Sequence, residues 1–309
     1  MDLKSAVASL NGSFSFGNGI LYNMCSDDKT DINNPDHLGD MIWLIGRAYA
    51  ASPERRTYGY EKDKNGNLKK SMDDKWIPLW KATNADDGKG GYFAKIAKYI
   101  TKSPKFSEFK KIVDDIKNAV YIFDGSDNDI AMICKGIHAV YLYNQLIREA
   151  SEDFDGLNDE TNPNAVIAKK ANARCKNQIS FCSKFIHFCC PNIVFIIDQY
   201  SLDGGKKLIP QKQLSYRPKF EKLSNAFEEL DLVNLLSEYK KTLAAVKSVL
   251  ADQKNISLLA ESISKEDEKI SSYIEHCVRA YCISKYLRNQ QIENVTPRLI
   301  DDLFLRIKK

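Results

Sequence analysis

No stretch of this chain approaches the roughly 18 uninterrupted apolar residues of a membrane span, so no transmembrane helix is expected. The N-terminus, MDLKSAVASLNGSFSFGNG, lacks a basic start followed by a long apolar core. It does not read as a signal peptide, and a cytoplasmic protein is expected. No Cys-x-x-Cys pair occurs among the eight cysteines, and the four histidines lie far apart. The usual zinc spacings are therefore missing, so no metal and no cofactor is expected, and buried reduced thiols are. Internal repeats and low-complexity tracts are also lacking. Strand-like alternation is scarce, with AVYIF (119–123) and NIVFII (192–197) as the two short β-rich runs. They are too few for a sheet-based fold, so the chain reads as all-α.

What is present is helical punctuation. Asn34 suits a cap, Pro35 a first helical position and Asp36 the positive helix end, predicting a helix through about Ala50. EKDKNGNLKKSMDDKW (61–76) reads as an exposed loop or hairpin tip, its KNGN being a turn signal. Residues 92–119 place Phe106, Phe109, Ile112 and Ile116 at helical spacing, and 129–150 read as a buried helix. The acidic 151–164 stretch reads as a linker, dividing an N-terminal helical lobe (1–150) from a C-terminal one (165–309). Residues 201–220, with Gly204-Gly205 and two prolines, read as a loop. Helix is expected from about residue 220 onward, with Thr296 as a cap and Pro297 behind it.

The most informative run is SFCSKFIHFCCPNIVFIID (180–198). On a helix, Ser180, Ser183, Lys184 and His187 form one polar stripe on an otherwise apolar surface. Such a helix is buried in protein while its stripe faces a cleft or a polar partner. Pro191 and Asn192 end it, and the apolar return from Ile193 to Ile197 delivers Asp198. Two readings stand side by side. Lys184 snorkels outward while Asp198 caps the next turn or pairs with an arginine. Alternatively both share a cleft, where burial lowers the lysine pKa and nearby charge tunes the carboxylate.

SKFIHFCCPNIVFIIDQY resembles the lysine-helix, proline, apolar return, aspartate pattern of the helix-hairpin-helix-GPD DNA glycosylase superfamily. It is most similar to the 8-oxoguanine-glycosylase-like members. The resemblance covers a small part of the chain. It implies two helical lobes with a cleft between them. It implies Asp198 as the catalytic carboxylate and Lys184 as the nucleophile of bifunctional members. It also implies a flipped base in DNA as substrate, with hydrolysis of its N-glycosidic bond. WLIGRAYAASPERR (43–56) is similar to a motif in bacterial proteins carrying the same lysine–aspartate pattern, several placed with phage-defence genes. A damaged base or a modified base in phage DNA is then the expected target.

The remaining candidates follow from chemistry. Arg47 within an apolar helix needs a carboxylate or phosphate partner, and a structural ion pair serves it equally well. Arg55 and Arg56 suit backbone phosphates. His187 and Arg47 are candidates to orient the reacting groups. Tyr49, Trp43, Phe185 and Tyr200 are candidate walls for an extruded base. The run 204–222 holds Lys206, Lys207, Lys212, Arg217, Lys219 and Lys222 against Glu221, with Tyr216 among them. It suits phosphate contact and base stacking, or a solvated loop. A non-catalytic nucleic-acid or nucleotide-binding module of a defence system is the alternative. A scaffold with Lys184–Asp198 as a buried ion pair is a third reading.

Overall fold

A computed structural model of the chain describes residues 21–25, 31–48, 56–58, 60–62, 64, 68–70, 76–78, 91–119, 123, 126–152, 178–209, 232–252, 268–292 and 295–308. These residues are overwhelmingly helical. After helical residues 21–25, the long helices are α1 (Pro35–Ala48), α2 (Gly91–Lys102), α3 (Pro104–Asn118) and α4 (Asp127–Glu152). They continue as α5 (Ile179–Cys189), α6 (Gln199–Leu208), α7 (Leu232–Asp252), α8 (Glu268–Asn289) and α9 (Pro297–Lys308).

Several boundaries follow the local chemistry. Asn34 Oδ1 accepts from the Asp36 amide at 2.9 Å, and Pro35 is the first residue of α1. Thr296 Oγ1 accepts from the Leu299 amide at 3.2 Å, and α9 starts at Pro297. Pro104 splits 91–118 into two helices, because its ring cannot continue α2 through Ser103. Tyr60–Lys62 (β2) pairs antiparallel with Leu68–Lys70 (β3) on either side of the KNGN turn signal. Arg56–Tyr58 (β1) pairs with Trp76–Pro78 (β4) outside that pair. These ribbons are three residues long and form no layer of the fold.

The core is built around α4. Ile133, Cys134, Ile137, Val140, Tyr143, Leu146 and Ile147 are buried over most of its circumference, leaving a narrow exposed strip at residues 128, 131 and 135, as expected for a helix largely enclosed by others. It packs on α2, α3, α5, α7 and α8. Phe109, Tyr143 and Phe185 stack in sequence, with ring centroids 5.1 and 4.4 Å apart. The acidic stretch expected to divide two lobes lies, beyond Glu152, outside the described residues. Helices on both sides of it share one apolar cluster, from Leu21 to Ile307.

One boundary reading needs correction. Residues 201–208 are helix, and Gly204-Gly205 mark a helix crossing rather than a turn. A Cβ on Gly204 would lie 2.0 Å from the Phe304 carbonyl oxygen of α9. Glycine there lets two backbones touch. Gly204→Ala is expected to destabilise the protein by about 1–3 kcal/mol, since the overlap falls on backbone. The gain in helix propensity of roughly 1 kcal/mol does not offset it. Gly205→Ala, where the new methyl meets only the Phe304 ring at 3.3 Å, should be much milder. Thermal melts of the two variants check the order; equal melting temperatures would contradict the crossing.

Candidate active site

The return segment leaves its turn at Ile193 and runs through buried, non-helical residues 194–197 to Asp198, yet it joins no sheet among the described residues. Its backbone polar groups need partners all the same, and side chains of flanking helices supply them. On α5, Ser183 Oγ accepts from the Ile197 amide at 3.1 Å, and His187 Nδ1 lies 2.7 Å from the Val194 carbonyl. On α8, Tyr273 donates to the Phe195 carbonyl at 3.3 Å, and His276 Nε2 lies 2.8 Å from the Ile196 carbonyl. A carbonyl only accepts, so the facing nitrogen of each ring carries the proton. In neutral His187 this leaves Nε2 to accept from Tyr22 at 2.7 Å. Burial pushes both histidines down to about 4, so the rings are neutral near pH 7. Half of the polar stripe is therefore an internal clamp. It sets the register of the segment that ends in Asp198.

Asp198 does two things at once. Its Oδ1 accepts from the Ser201 amide at 2.9 Å, and Ser201 Oγ accepts from the Asp198 amide at 3.0 Å. This reciprocal capping box starts α6. Its Oδ2 lies 3.7 Å from Lys184 Nζ. The lysine side chain is 4% exposed and the aspartate 28%. Lys184 also donates to Ser180 Oγ at 3.0 Å. Burial lowers the Lys184 pKa, opposed by the negative charge of Asp198 and Asp301. Lys184 does not snorkel outward, whereas Asp198 both caps the next helix and pairs with the lysine.

A pocket of about 490 Å³ opens beside Asp198, within the ordinary range for small-ligand sites. Ile179, Ile197 and Leu202 give it an apolar wall. Ser180, Asp198 and Lys206 face Glu268, Lys269 and Ser272 from the start of α8. Lys184 does not line it. Its amine is one layer behind, held by two residues that do, Ser180 and Asp198.

A second charged layer comes from α9, which packs across α6. Arg298 reaches Asp301 at 3.1 Å and Asp302 at 2.9 Å. Asp301 is 4% exposed, and its Oδ1 has no hydrogen-bond partner among the described residues. Burial pushes its carboxyl up to about 7, against the pull of Arg298, with Asp198 adding to the rise. Sequence reasoning missed this layer, and it missed His276, Tyr273, Glu268 and Lys269. The spacing of Arg298, Asp301 and Asp302 on one helix was a usable signal. Nothing local pairs His276 with a segment 80 residues away.

The other candidates scatter. Tyr200 is 61% exposed on α6, two residues from Asp198, and Lys206 and Lys207 are exposed further along it. Trp43 is 47% exposed on α1. Phe185 is fully buried in the core stack and does not line the pocket beside Asp198. His187 is sealed between Val194 and Tyr22 and is turned away from the pocket lining. Arg47 falls within α1 and Arg56 within β1, but their side chains, with Tyr49, Arg55, Lys212, Tyr216 and Arg217, lie outside the described residues. Among the described residues no group of three or more His, Cys, Asp or Glu is arranged to hold a metal. No described helix is long and apolar enough to cross a membrane.

Comparison with known proteins adds no relative: no family model, curated protein or solved structure matches this chain.

Proposed function

We propose that the protein is a cytoplasmic DNA N-glycosylase that takes a damaged or modified base into the pocket beside Asp198. The observation that carries this reading is the Asp198 carboxylate. It is part-exposed at a pocket of about 490 Å³, fixed by a helix cap on one oxygen and by a buried ammonium on the other. A carboxylate so held faces the developing positive charge of a sugar whose base is leaving, without reorganising. It also accepts a proton from the attacking water. Lys184 holds the carboxylate in place. Lys206 and Lys269, in the same lining, are suited to the phosphates flanking the extruded nucleotide. The two-lobed, glycosylase-like arrangement, with DNA in the cleft, belongs to this reading. Incubation with base-modified duplexes followed by alkali cleavage tests it. Strand cleavage with at least one modification is expected, and intact strands with all of them would end it.

The lysines favour a second reading, a non-catalytic nucleic-acid or nucleotide-binding module of a phage-defence system. It has DNA binding without base release, and a salt dependence that becomes shallower by roughly one unit of slope in Lys206→Ala. Salt-titrated binding beside the cleavage assay separates the two.

A further inference from the structure

Ser180 and Asp198 both line the pocket, and both are held by the same buried amine. The Lys184 ammonium donates to Ser180 Oγ at 3.0 Å and stands 3.7 Å from Asp198 Oδ2. An ammonium has three donors and no acceptor, so the serine oxygen can only accept from it. The hydroxyl proton of Ser180 is then left to point elsewhere. Among the described residues no group accepts it. Ser180 is half-buried at the pocket lining, so its proton is offered to whatever fills the pocket. Accepting from a cation polarises the hydroxyl and makes it a stronger donor.

From this arrangement we infer that the Ser180 hydroxyl is the hydrogen-bond donor to the departing base. The atom it takes is the acceptor one carbon away from the glycosidic nitrogen, O2 of a pyrimidine or N3 of a purine. The inference rests on the glycosylase reading. Two oxygens held by one nitrogen stand only a few ångströms apart. With Asp198 against the sugar carbon, Ser180 falls beside the base nitrogen bonded to that carbon. The two groups then serve opposite charges. As the bond between sugar carbon and base nitrogen breaks, its electron pair goes to the base. The positive charge left on the sugar is met by Asp198. The negative charge spreads from the nitrogen to the neighbouring acceptor, where a donor fixed in advance stabilises it. Water oxygen then bonds the sugar carbon and its proton passes to Asp198, while the released base takes a proton from solvent. Lys184 holds both side chains throughout and transfers nothing.

The test compares the full chain with Ser180→Ala on duplexes bearing a single uracil, hypoxanthine or 8-oxoguanine. Each is set beside a partner duplex in which the acceptor is replaced, by 2-thiouracil or by the 3-deaza purine. Alanine favours a helix more than serine, so the variant stays folded. On the natural acceptor, Ser180→Ala is expected to slow base release by roughly 10–10²-fold. The loss falls mostly on kcat, because the charge on the base exists only in the transition state. On the partner duplex the same substitution should cost no more than about threefold, since hydroxyl and acceptor form one contact. Ser180→Thr, which keeps a hydroxyl, should retain most of the rate. An equal loss on both members of a pair overturns the inference and makes Ser180 a support for Lys184 alone. Full release by Ser180→Ala overturns it too, and both results leave the glycosylase reading standing. Release by the parent from none of the duplexes ends that reading, and the inference with it.

Discussion

Asp198→Asn is expected to cut base release by roughly 10²–10⁴-fold while the helix that Asp198 caps stays folded. Asparagine ranks with aspartate as an N-cap, so its carbonyl oxygen keeps the Ser201 amide that Oδ1 holds at 2.9 Å. Only the negative charge is lost, and with it the favourable interaction with the helix end, worth about 0.3–1 kcal/mol. The buried Lys184 ammonium loses its ion partner, but it keeps Ser180 and relaxes by giving up its proton, in the direction burial already favours. Asp198→Ala removes cap and charge together and should melt lower by about a further 1 kcal/mol. Cleavage assays and thermal melts on the two variants check this. Full base release by Asp198→Asn would remove Asp198 from catalysis. An asparagine variant that melts as low as the alanine one would show that the ion pair, not the cap, is its structural role.

The same geometry decides what Lys184 does. Its amine sits behind the pocket wall with two partners already, so an attack on a sugar carbon needs both broken. Borohydride is therefore expected to trap no covalent DNA adduct. An adduct seen with the parent and lost in Lys184→Met would instead make it the nucleophile.

The sequence carried the local half of this site and not the distant half. Caps at Asn34 and Thr296, the strand pair flanking KNGN and the lysine stripe are patterns within a few residues, where side-chain geometry and backbone geometry are tied. Gly204-Gly205 misled because two glycines ordinarily unsettle a helix. The reason they sit in one is Phe304, which is 100 residues further on. The stripe misled in part for a similar cause. Ser183 and His187 are polar because a buried segment outside any helix or sheet needs partners, and that segment's second set comes from α8. Polar residues on a buried helix mark demand for hydrogen bonds, and a cleft is one of two ways to create it.

Those clamps make the fold sensitive to acid, and stability is expected to fall between about pH 7 and pH 5. His187 and His276 each fall from 6.5 to about 4 on folding, mainly through burial. Below the unfolded value the unfolded chain takes protons that the native rings refuse, so unfolding gains ground as pH drops. Each histidine contributes about 2 kcal/mol of loss by pH 5. Asp301 works the other way. Its native value of about 7 lies above the unfolded 3.8, so the native state gains a proton first, offsetting about 2 kcal/mol over the same range. The histidines outweigh it. Asp301→Asn, which removes the offset, should make the acid loss steeper, roughly doubling it. Denaturant melts of parent and variant at pH 7, 6 and 5 measure both slopes. A parent stability that holds or rises on acidification would mean that the rings are not buried as neutral clamps. The consequence for the site is direct, because His187 and His276 grip the carbonyls of Val194 and Ile196. Charging either ring inside the core loosens the segment that carries Asp198, so the carboxylate loses its placement as the fold loses its stability.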